Sequence, residues 1–490
     1  MAKRLCLLFA LDLRSLALFR ICLGLVVLTD LGLRAADLDA HYTDWGVLPR
    51  DAVADAAWSP WRFSVYFAVG DAACVAGLFL LQATLAVLLI AGVRTRLVTA
   101  LSWIMLVSLH NRNTLVLNAG DTLLRLQLFW GMFLPLGARF AFDVRRRAPL
   151  ADGHNAFVST ATVAFIVQLC AVYWFAAALK RSPSWWDGSA LRYALHMDLM
   201  TKPAGLWLRD IDWLLPPLTH ASVRWEWIGP LLLFVPFRTE AFRLIAIGGF
   251  FAFHLGIYVL LQVGIFPLVC LCAWTALLPG SVWNWCSPSP QHGKSYHLHP
   301  DPGTAGTGEL RRGRGVLAAF FIVYVLAWNV RTLDFVRYVR YFPRRWNVLA
   351  EFLRLDQHWN MFAPGPPTQD GWFVVPATLV DGREVDLFTD GGPVVWDKPA
   401  VVSATIPNRR WGKYLMRLRS PKYAHRRQGY AAYLARRWHS AHGDADALRA
   451  LGIYFVREDT LTNRIAQPRR VRLLHVEAIG SPVHQAPSGR

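Results

Sequence analysis

The sequence has little charge for its length. Only 17% of its 490 residues are Asp, Glu, Lys or Arg, against about a quarter in soluble globular proteins. The mean hydropathy is +0.29, and apolar runs long enough to cross a bilayer recur through the first two thirds of the chain. This scarcity of charge excludes an ordinary soluble protein and indicates a polytopic integral membrane protein.

Cysteine is also scarce. The chain has seven cysteines, and none follows Cys286, so residues 335–490 cannot form a disulfide among themselves. Cys270 and Cys272 lie in an apolar segment without nearby histidines, whereas structural zinc sites need further cysteine or histidine ligands. We interpret this pair as small buried residues and predict no metal site.

The sequence lacks the short motifs of the common enzyme classes. It contains no P-loop, no Rossmann glycine pattern, no HExxH and no G-x-S-x-G. A repeat of fixed period is absent as well.

Most of the charged residues are basic, with 52 Lys and Arg against 33 Asp and Glu. Nucleic-acid-binding proteins have such a surplus, but so do the cytoplasmic segments of membrane proteins. With the N-terminus placed in the cytoplasm, basic residues are more frequent in the inside segments than in the outside loops. We therefore expect no nucleic-acid partner, a cytoplasmic N-terminus and a C-terminal region outside.

The apolar segments predict an all-α polytopic membrane domain with about nine transmembrane helices. Residues 1–15 are expected to be a cytoplasmic lead-in, residues 16–334 the membrane domain with a cytoplasmic linker at 281–314, and residues 335–490 an extracytoplasmic domain. The segment 264–280 would either cross the membrane or enter and leave it on the same side. The predicted segments are 16–35, 71–93, 97–110, 119–137, 156–180, 223–237, 242–262, 264–280 and 315–333.

The C-terminal region has a different pattern. Apolar and polar residues alternate around Asp381-Gly382, which is a strong hairpin signal. Residues 409–442 read as basic helix, and a further strand is expected near the end of the chain. These features predict a small β-rich (α+β) domain.

Ionisable residues inside membrane segments are candidates for functional sites, because charge in a bilayer is costly. Asp121 and Arg125 have the i, i+4 spacing of a helix-surface ion pair, which would hold helices together or line a polar cavity. Glu226 lies at the outer start of a segment, and His254 lies in the middle of one. A lone buried histidine is more often a packed, hydrogen-bonded residue than a catalyst.

Lys180 closes a long apolar segment in the stretch "AAALKRSPSWWDG". A lysine in this position commonly extends its amine to the headgroups. The other interpretation is chemical, because burial disfavours the charged form of an amine and leaves it able to accept a proton. Trp174, Trp185 and Trp186 are close in sequence, and they would either anchor the protein at the interface or line a ring pocket.

Four stretches share an order and spacing with one known family. They are residues 18–50, from "LFRICLGLVVLTD" to "GVLPR"; residues 110–143, beginning "HNRNTLVLNAGD"; residues 173–195, "YWFAAALKRSPSWWDGSALRYAL"; and residues 253–267, "FHLGIYVLLQVGIFP". Together they resemble the family with the horizontally transferred transmembrane (HTTM) domain, which includes vitamin K-dependent γ-glutamyl carboxylase. Residues 355–382 resemble the C-terminal extension of bacterial members, which implies a bacterial inner-membrane protein.

The resemblance implies a catalytic role for Lys180 as the base that deprotonates reduced vitamin K or another lipid quinol. Oxygen then adds, the strong base that results removes a proton from a glutamate of a protein or peptide, and carbon dioxide traps the carbanion. His254 matches a histidine of the carboxylase and is the second catalytic candidate. The residues expected to orient or enclose the quinol are Asn113, Asp121, Arg125, Trp174, Trp185 and Glu226.

The sequence also departs from the carboxylase pattern. Asn111-Arg112-Asn113 stands where the carboxylase has a functional histidine, and its large lumenal domain is not recognisable in residues 335–490. Two classes of function therefore stay open. One is a carboxylase-like enzyme, and the other is a non-enzymatic HTTM membrane protein, such as a binding, export or immunity factor or a carrier.

Overall fold

The computed structural model describes residues 7–53, 59–146, 155–286, 298–299, 308–333, 343–443, 446–461 and 465–477. Most of these residues are helical. Part of the predicted linker, residues 287–297 and 300–307, lies outside the described residues. The helices are α1 (Leu13–Ala35), α2 (Leu38–Tyr42), α3 (Arg50–Val53), α4 (Ala72–Ala91), α5 (Thr95–Arg112), α6 (Ala119–Gly131), α7 (Thr160–Leu179), α8 (Pro183–Trp186), α9 (Ala190–Leu195), α10 (Pro203–Arg209), α11 (Leu215–Leu231), α12 (Thr239–Leu260), α13 (Phe266–Thr275), α14 (Gly280–Cys286), α15 (Gly308–Arg331), α16 (Asn347–Leu353), α17 (Arg409–Arg419) and α18 (Arg427–His442).

Five helices of the described chain are long and apolar enough to cross a membrane, namely α1, α4, α7, α12 and α15. The bent pair α13 and α14, which meet at 84°, counts as a sixth span if it crosses as one unit. The other predicted segments also fall on helices, but α6 has 13 residues and α11 has 17, short of the ~20 that a bilayer needs. A polytopic helical membrane protein is thus confirmed, and the count of nine crossings stays a prediction.

The long helices form one buried core. Helix α1 packs against α4 and α13, and α7 packs against α11 and α15. Arg20 of α1 is fully buried, and its guanidinium donates to the carbonyl oxygens of Ile90 and Leu136, each at 3.1 Å. Ile90 lies in the last turn of α4 and Leu136 lies beyond the end of α6, so no intrahelical N–H satisfies these carbonyls. Arg20 and Asp30, ten residues apart on α1, do not pair with each other.

The C-terminal region contains an antiparallel sheet of five strands, as the strand and hairpin signals predicted; that residues 335–490 form an extracytoplasmic domain stays a prediction. The strands of the chain are β1 (Leu11–Asp12), β2 (Ala156–Phe157), β3 (Leu298–His299), β4 (Gln369–Val374), β5 (Pro376–Leu379), β6 (Glu384–Asp386), β7 (Leu448–Asp459) and β8 (Arg469–Glu477). The order in the five-stranded sheet is β4-β7-β5-β6, with β8 on the other side of β7. The turn between β5 and β6 includes Gly382 at φ +90°, as the Asp381-Gly382 signal predicted.

The C-terminal region is joined to the membrane helices at two places. Helix α17 packs on the turn Thr114–Val116 between α5 and α6. Leu355 and Trp359 are fully buried in the core of the membrane helices, where the indole Nε1 of Trp359 donates to Gln357 Oε1 at 2.9 Å. The chain after α16 therefore enters the membrane core before it forms the sheet.

Candidate functional site

Lys180 and Glu226 form a buried ion pair. Lys180 follows the last residue of α7, and its side chain turns inward, so that it is only 6% exposed. Its Nζ donates to both carboxylate oxygens of Glu226, at 2.5 Å to Oε1. The interpretation of Lys180 as an amine extended to the headgroups required an exposed side chain, which this geometry does not provide.

The residues after Lys180 place an aromatic ring beside its amine. Helix α8 begins with Pro183, which fits the first helical position because its missing N–H needs no partner there. The ring of Trp185 then lies 4.9 Å from Lys180 Nζ, and its Nε1 donates to the carbonyl of Phe362 at 3.2 Å. Gly188 ends the turn at φ +88°, where an added Cβ would meet Pro216 at 2.7 Å.

A cavity of about 840 Å³ opens between the membrane helices and the C-terminal region. It is large enough for a drug-sized molecule. Its wall contains five of the predicted site residues, which the structure therefore brings to one place: Arg125, Lys180, Trp185, Glu226 and His254.

His254 belongs to a buried hydrogen-bond chain in the wall of this cavity. The indole Nε1 of Trp274 donates to the Tyr173 hydroxyl at 2.8 Å, and that hydroxyl lies 2.8 Å from His254 Nε2. Because the indole can only donate, the Tyr173 hydroxyl accepts from it and can donate its own proton to Nε2. In that tautomer of the neutral imidazole the ring proton is on Nδ1, which has no hydrogen-bond partner in the described chain.

Arg125 lies in the cavity wall but does not pair with Asp121. Its guanidinium donates to the carbonyls of Arg354 and Asp356 at 2.7 and 2.6 Å, and it lies 3.4 Å from the Asp356 carboxylate. The prediction of an ion pair between Asp121 and Arg125 was wrong, because each side chain has partners from other parts of the chain.

Asp121 lies in a separate buried cluster with two arginines. Arg34 Nη2 is 2.5 Å from its carboxylate, and Arg410 Nη2 is 3.1 Å away. The same two arginines also pair with Asp30. One potential metal-ligand atom from each of Asp30, His110 and Asp121 lies within 4.8 Å of the other two, close enough to hold a metal ion. Both carboxylates, however, are already paired with guanidinium groups. We interpret the cluster as structural.

Two further predicted residues lie away from the cavity wall. Asn113 is fully buried; its Nδ2 donates to the carbonyl of His41 at 3.0 Å, and its Oδ1 accepts from Leu115 N at 3.0 Å. The indole of Trp174 donates to the carbonyl of Trp227 and stacks on Phe234. The structure thus gives Asn113 a role in holding the chain after α5, and gives Trp174 a packing role.

Residues 10–283 match the HTTM domain family, which is more than half of the chain. The chain belongs to the HTTM family. The match covers α1 to α13 and includes Lys180, Glu226 and His254. No curated protein and no solved structure shows significant similarity to the chain.

Several residues of the HTTM cavity were not singled out from the sequence. Tyr173 lies on α7 seven positions, or about two helical turns, before Lys180, and this spacing was an available signal. Asp356 and Phe362 come from the C-terminal stretch "LDQHWNMFAPGPP", which was noticed for its resemblance alone. In the fold this stretch lies against the residues after Lys180, where the backbone N–H groups of Arg181 and Ser182 donate to the carbonyl of Pro364 at 3.0 and 2.8 Å. Nothing in the sequence alone indicated this contact.

Proposed function

We propose that this HTTM protein is a carboxylase-like enzyme that oxidises a lipid quinol in the cavity, with Lys180 as the base. The observation that supports this most is the buried Lys180–Glu226 pair in the wall of a cavity of about 840 Å³. An ion pair buried away from water is costly, and its stabilisation is weak. A pair that contributes little to stability and faces a cavity is a candidate for chemistry.

Lys180 and Glu226 can exchange a proton without moving. The pair holds one labile proton between them, either as ammonium and carboxylate or as amine and carboxylic acid. In the second form the neutral Lys180 amine can accept a proton from a hydroxyl in the cavity; Glu226 is then an uncharged acid, and the oxyanion left on the former hydroxyl balances the ammonium. The Trp185 ring beside Nζ also favours the cation.

The residues present fit a quinol. Trp185, Phe253 and Phe266 supply aromatic surface in the cavity wall, and His254 Nδ1 is buried without a partner, so a quinol hydroxyl group could form a hydrogen bond with it as donor or as acceptor. When bound, the quinol would supply reducing equivalents to O₂, and its oxidation to an epoxide with release of water would provide the strong base needed to remove a proton from a substrate carbon, to which CO₂ would then add. A glutamate of a protein or peptide is the proposed substrate.

The proposed topology has nine crossings in a bacterial inner membrane, with the N-terminus in the cytoplasm. The C-terminal sheet shares a hydrophobic core with Ala40, Val47 and Leu48 of the loop after α1 and with Leu115 and Val116 of the turn between α5 and α6. Those two loops lie on the same side in the nine-crossing arrangement, which supports this topology. Lys180 would then act at the outer half of the bilayer.

The second candidate is a binding or carrier protein that keeps the fold without the reaction. One observation favours it: Asn113 is committed to buried hydrogen bonds with the chain itself, and it stands where the carboxylase pattern has a functional histidine. In that case the cavity would bind a lipid quinol and release it unchanged.

The test is oxygen-dependent turnover by the purified protein in lipid nanodiscs. Reduced naphthoquinols and benzoquinols are added, and oxygen uptake and epoxide formation are followed. We expect turnover by the unchanged protein and a loss of about 100-fold or more in Lys180→Met. If the folded protein oxidises no quinol but a quinone quenches Trp185 fluorescence, the binding-protein candidate replaces the enzyme.

The matched control is Lys202→Met. Lys202 also lies against an aromatic ring, 4.2 Å from Tyr258, and its Nζ donates to the Tyr258 carbonyl. It is not part of the cavity wall, so its replacement should leave turnover unchanged. Equal losses in Lys180→Met and Lys202→Met would mean that the effect is general and not chemical.

A further inference from the structure

Helix α17 presents a row of three basic residues to the cavity. Arg409, Lys413 and Arg417 are spaced at i, i+4 and i+8, so they lie on one face of the helix. All three belong to the cavity wall. The opposite face is buried in the C-terminal core through Tyr414 and Leu418, which fixes the direction in which the basic row points.

Among the residues that the structure describes, none of these three cations has an acid at salt-bridge distance, although the charge of Asp370 acts on Arg409 and that of Asp121 acts on Arg417 from farther away. Within the described part of the chain, none of them forms a salt bridge, and the side chain of Arg417 donates to the carbonyls of Thr114 and Leu117. Arg409 contacts the sulfur of Met416 at 3.9 Å, and its Nε is buried without a hydrogen-bond partner. Buried donors without a partner are uncommon in native proteins.

The electrostatics of the row favour an anion. Burial, together with the charges of Arg409 and Arg417, lowers the pKa of Lys413 to about 8. Burial also lowers the pKa of Arg409 to about 10. Three like charges that are partly buried repel one another, and a negative group placed among them would remove both the repulsion and the unmet hydrogen bond.

The rest of the cavity wall has a different character. Besides Arg125 and the Lys180–Glu226 pair, it includes a set of apolar side chains: Met197, Met200, Phe253, Ile257, Leu261 and Phe266. A molecule in the cavity can therefore place an apolar part against these side chains and a charged part at the basic row. This arrangement matches an amphiphile with an anionic head.

We propose that Arg409, Lys413 and Arg417 form an anion-binding subsite that holds the carboxylate or phosphate of an amphiphile whose apolar part lies against the membrane helices. The three cations of the subsite do not belong to the Lys180–Glu226 pair, but the apolar wall beside them shares Phe253 and Phe266 with the proposed quinol site. The subsite gives the C-terminal region a direct part in selecting what enters the cavity.

The test measures binding by calorimetry to the full chain in nanodiscs of neutral lipid. The probes are decanoate, decyl phosphate and the uncharged decanol. We expect the two anions to bind at least about tenfold more tightly than decanol. Acetate and inorganic phosphate are titrated in parallel; weaker binding than that of the decyl compounds indicates an amphiphile, and equal binding indicates a free small anion at the same subsite and overturns the amphiphile.

The variants are Lys413→Gln, Lys413→Arg and the control Arg449→Gln. Arg449 is an exposed residue of β7 outside the cavity wall, so its replacement removes one positive charge from the same region without touching the row. We expect Lys413→Gln to weaken decanoate binding about tenfold and the other two variants to bind as the unchanged chain does. Decanol binding as tightly as decanoate, or a Lys413→Gln chain that unfolds at the usual temperature and binds decanoate unchanged, overturns the subsite.

Discussion

The guanidinium of Arg410 lies 3.1 Å from the carboxylate of Asp121, although 289 residues separate them in the sequence. Arg410 also pairs with Asp30 of α1. Because Arg410 is the second residue of α17, this contact inserts one side chain of the C-terminal region among the membrane helices. The cluster is closed to water, since Asp30 and Asp121 are both fully buried.

We expect Arg410→Leu to weaken the attachment of the C-terminal region to the membrane helices. The replacement leaves two buried carboxylates with Arg34 as their remaining arginine partner, and removing one member of a buried ion pair costs about 3–5 kcal/mol. Thermal unfolding in detergent should show the loss, and thermolysin should cleave the region after α16 sooner. The exposed Arg449→Leu serves as control, and equal unfolding temperatures for the two variants would contradict the role of Arg410.

The sequence predicted the parts of the molecule that depend on local pattern. The long apolar runs gave α1, α4, α7, α12 and α15, and Asp381-Gly382 gave a hairpin, because helix length and turn chemistry are properties of neighbouring residues. The partners of charged side chains could not be predicted in this way. Asp121 was assigned to Arg125 from an i, i+4 spacing, whereas the fold supplies it with Arg410.

The same distinction applies to the candidate site. Lys180 was identified from its position at the end of an apolar helix and from the motif that follows it. Its pairing with Glu226, 46 residues away, depends on how α7 packs against α11, which no short pattern specifies. The basic character of 409–442 was visible in the sequence, but the direction of its Arg409–Arg417 face toward a cavity was not.

The Lys180–Glu226 pair should show strong coupling in a double-mutant cycle. Lys180→Met and Glu226→Gln each leave the partner buried and lacking its counter-ion, and each should destabilise the protein by about 3–5 kcal/mol. The double variant removes both charges, so it should be more stable than the sum of the single changes predicts. Unfolding in detergent measures all three chains, and additive losses would mean that the two groups do not interact in solution.

Asp370 should make stability depend on pH. Burial, with the nearby Asp198 charge, raises the pKa of its carboxyl from 3.8 to about 7, against the opposing effects of the Leu199 N–H and Arg419. Between these pH values the folded protein keeps a proton that the unfolded chain has released. The stabilisation is therefore complete below about pH 4 and is lost as the pH rises through about 7.

The measurement for Asp370 is the free energy of unfolding at pH 4 and pH 8 in Asp370→Asn and in the unchanged protein. We expect the difference between the two pH values to be smaller in the variant by up to about 4 kcal/mol. Asp397 is exposed, and Asp397→Asn should keep the original dependence. The same pH dependence in all three chains would place the Asp370 carboxyl in water.

Tyr173→Phe should lower turnover through His254 while the Lys180–Glu226 pair stays intact. The variant loses the hydroxyl that lies 2.8 Å from both His254 Nε2 and Trp274 Nε1, so the imidazole tautomer is no longer fixed. We expect a loss of stability of about 1–3 kcal/mol, a fall in quinol oxidation of at least about tenfold, and a change in the nitrogen NMR signals of His254. Tyr66→Phe is the matched control, because Tyr66 is buried, bonds to Gln82 and lies outside the cavity wall. Unchanged NMR signals and turnover in Tyr173→Phe would show that Tyr173 does not position His254.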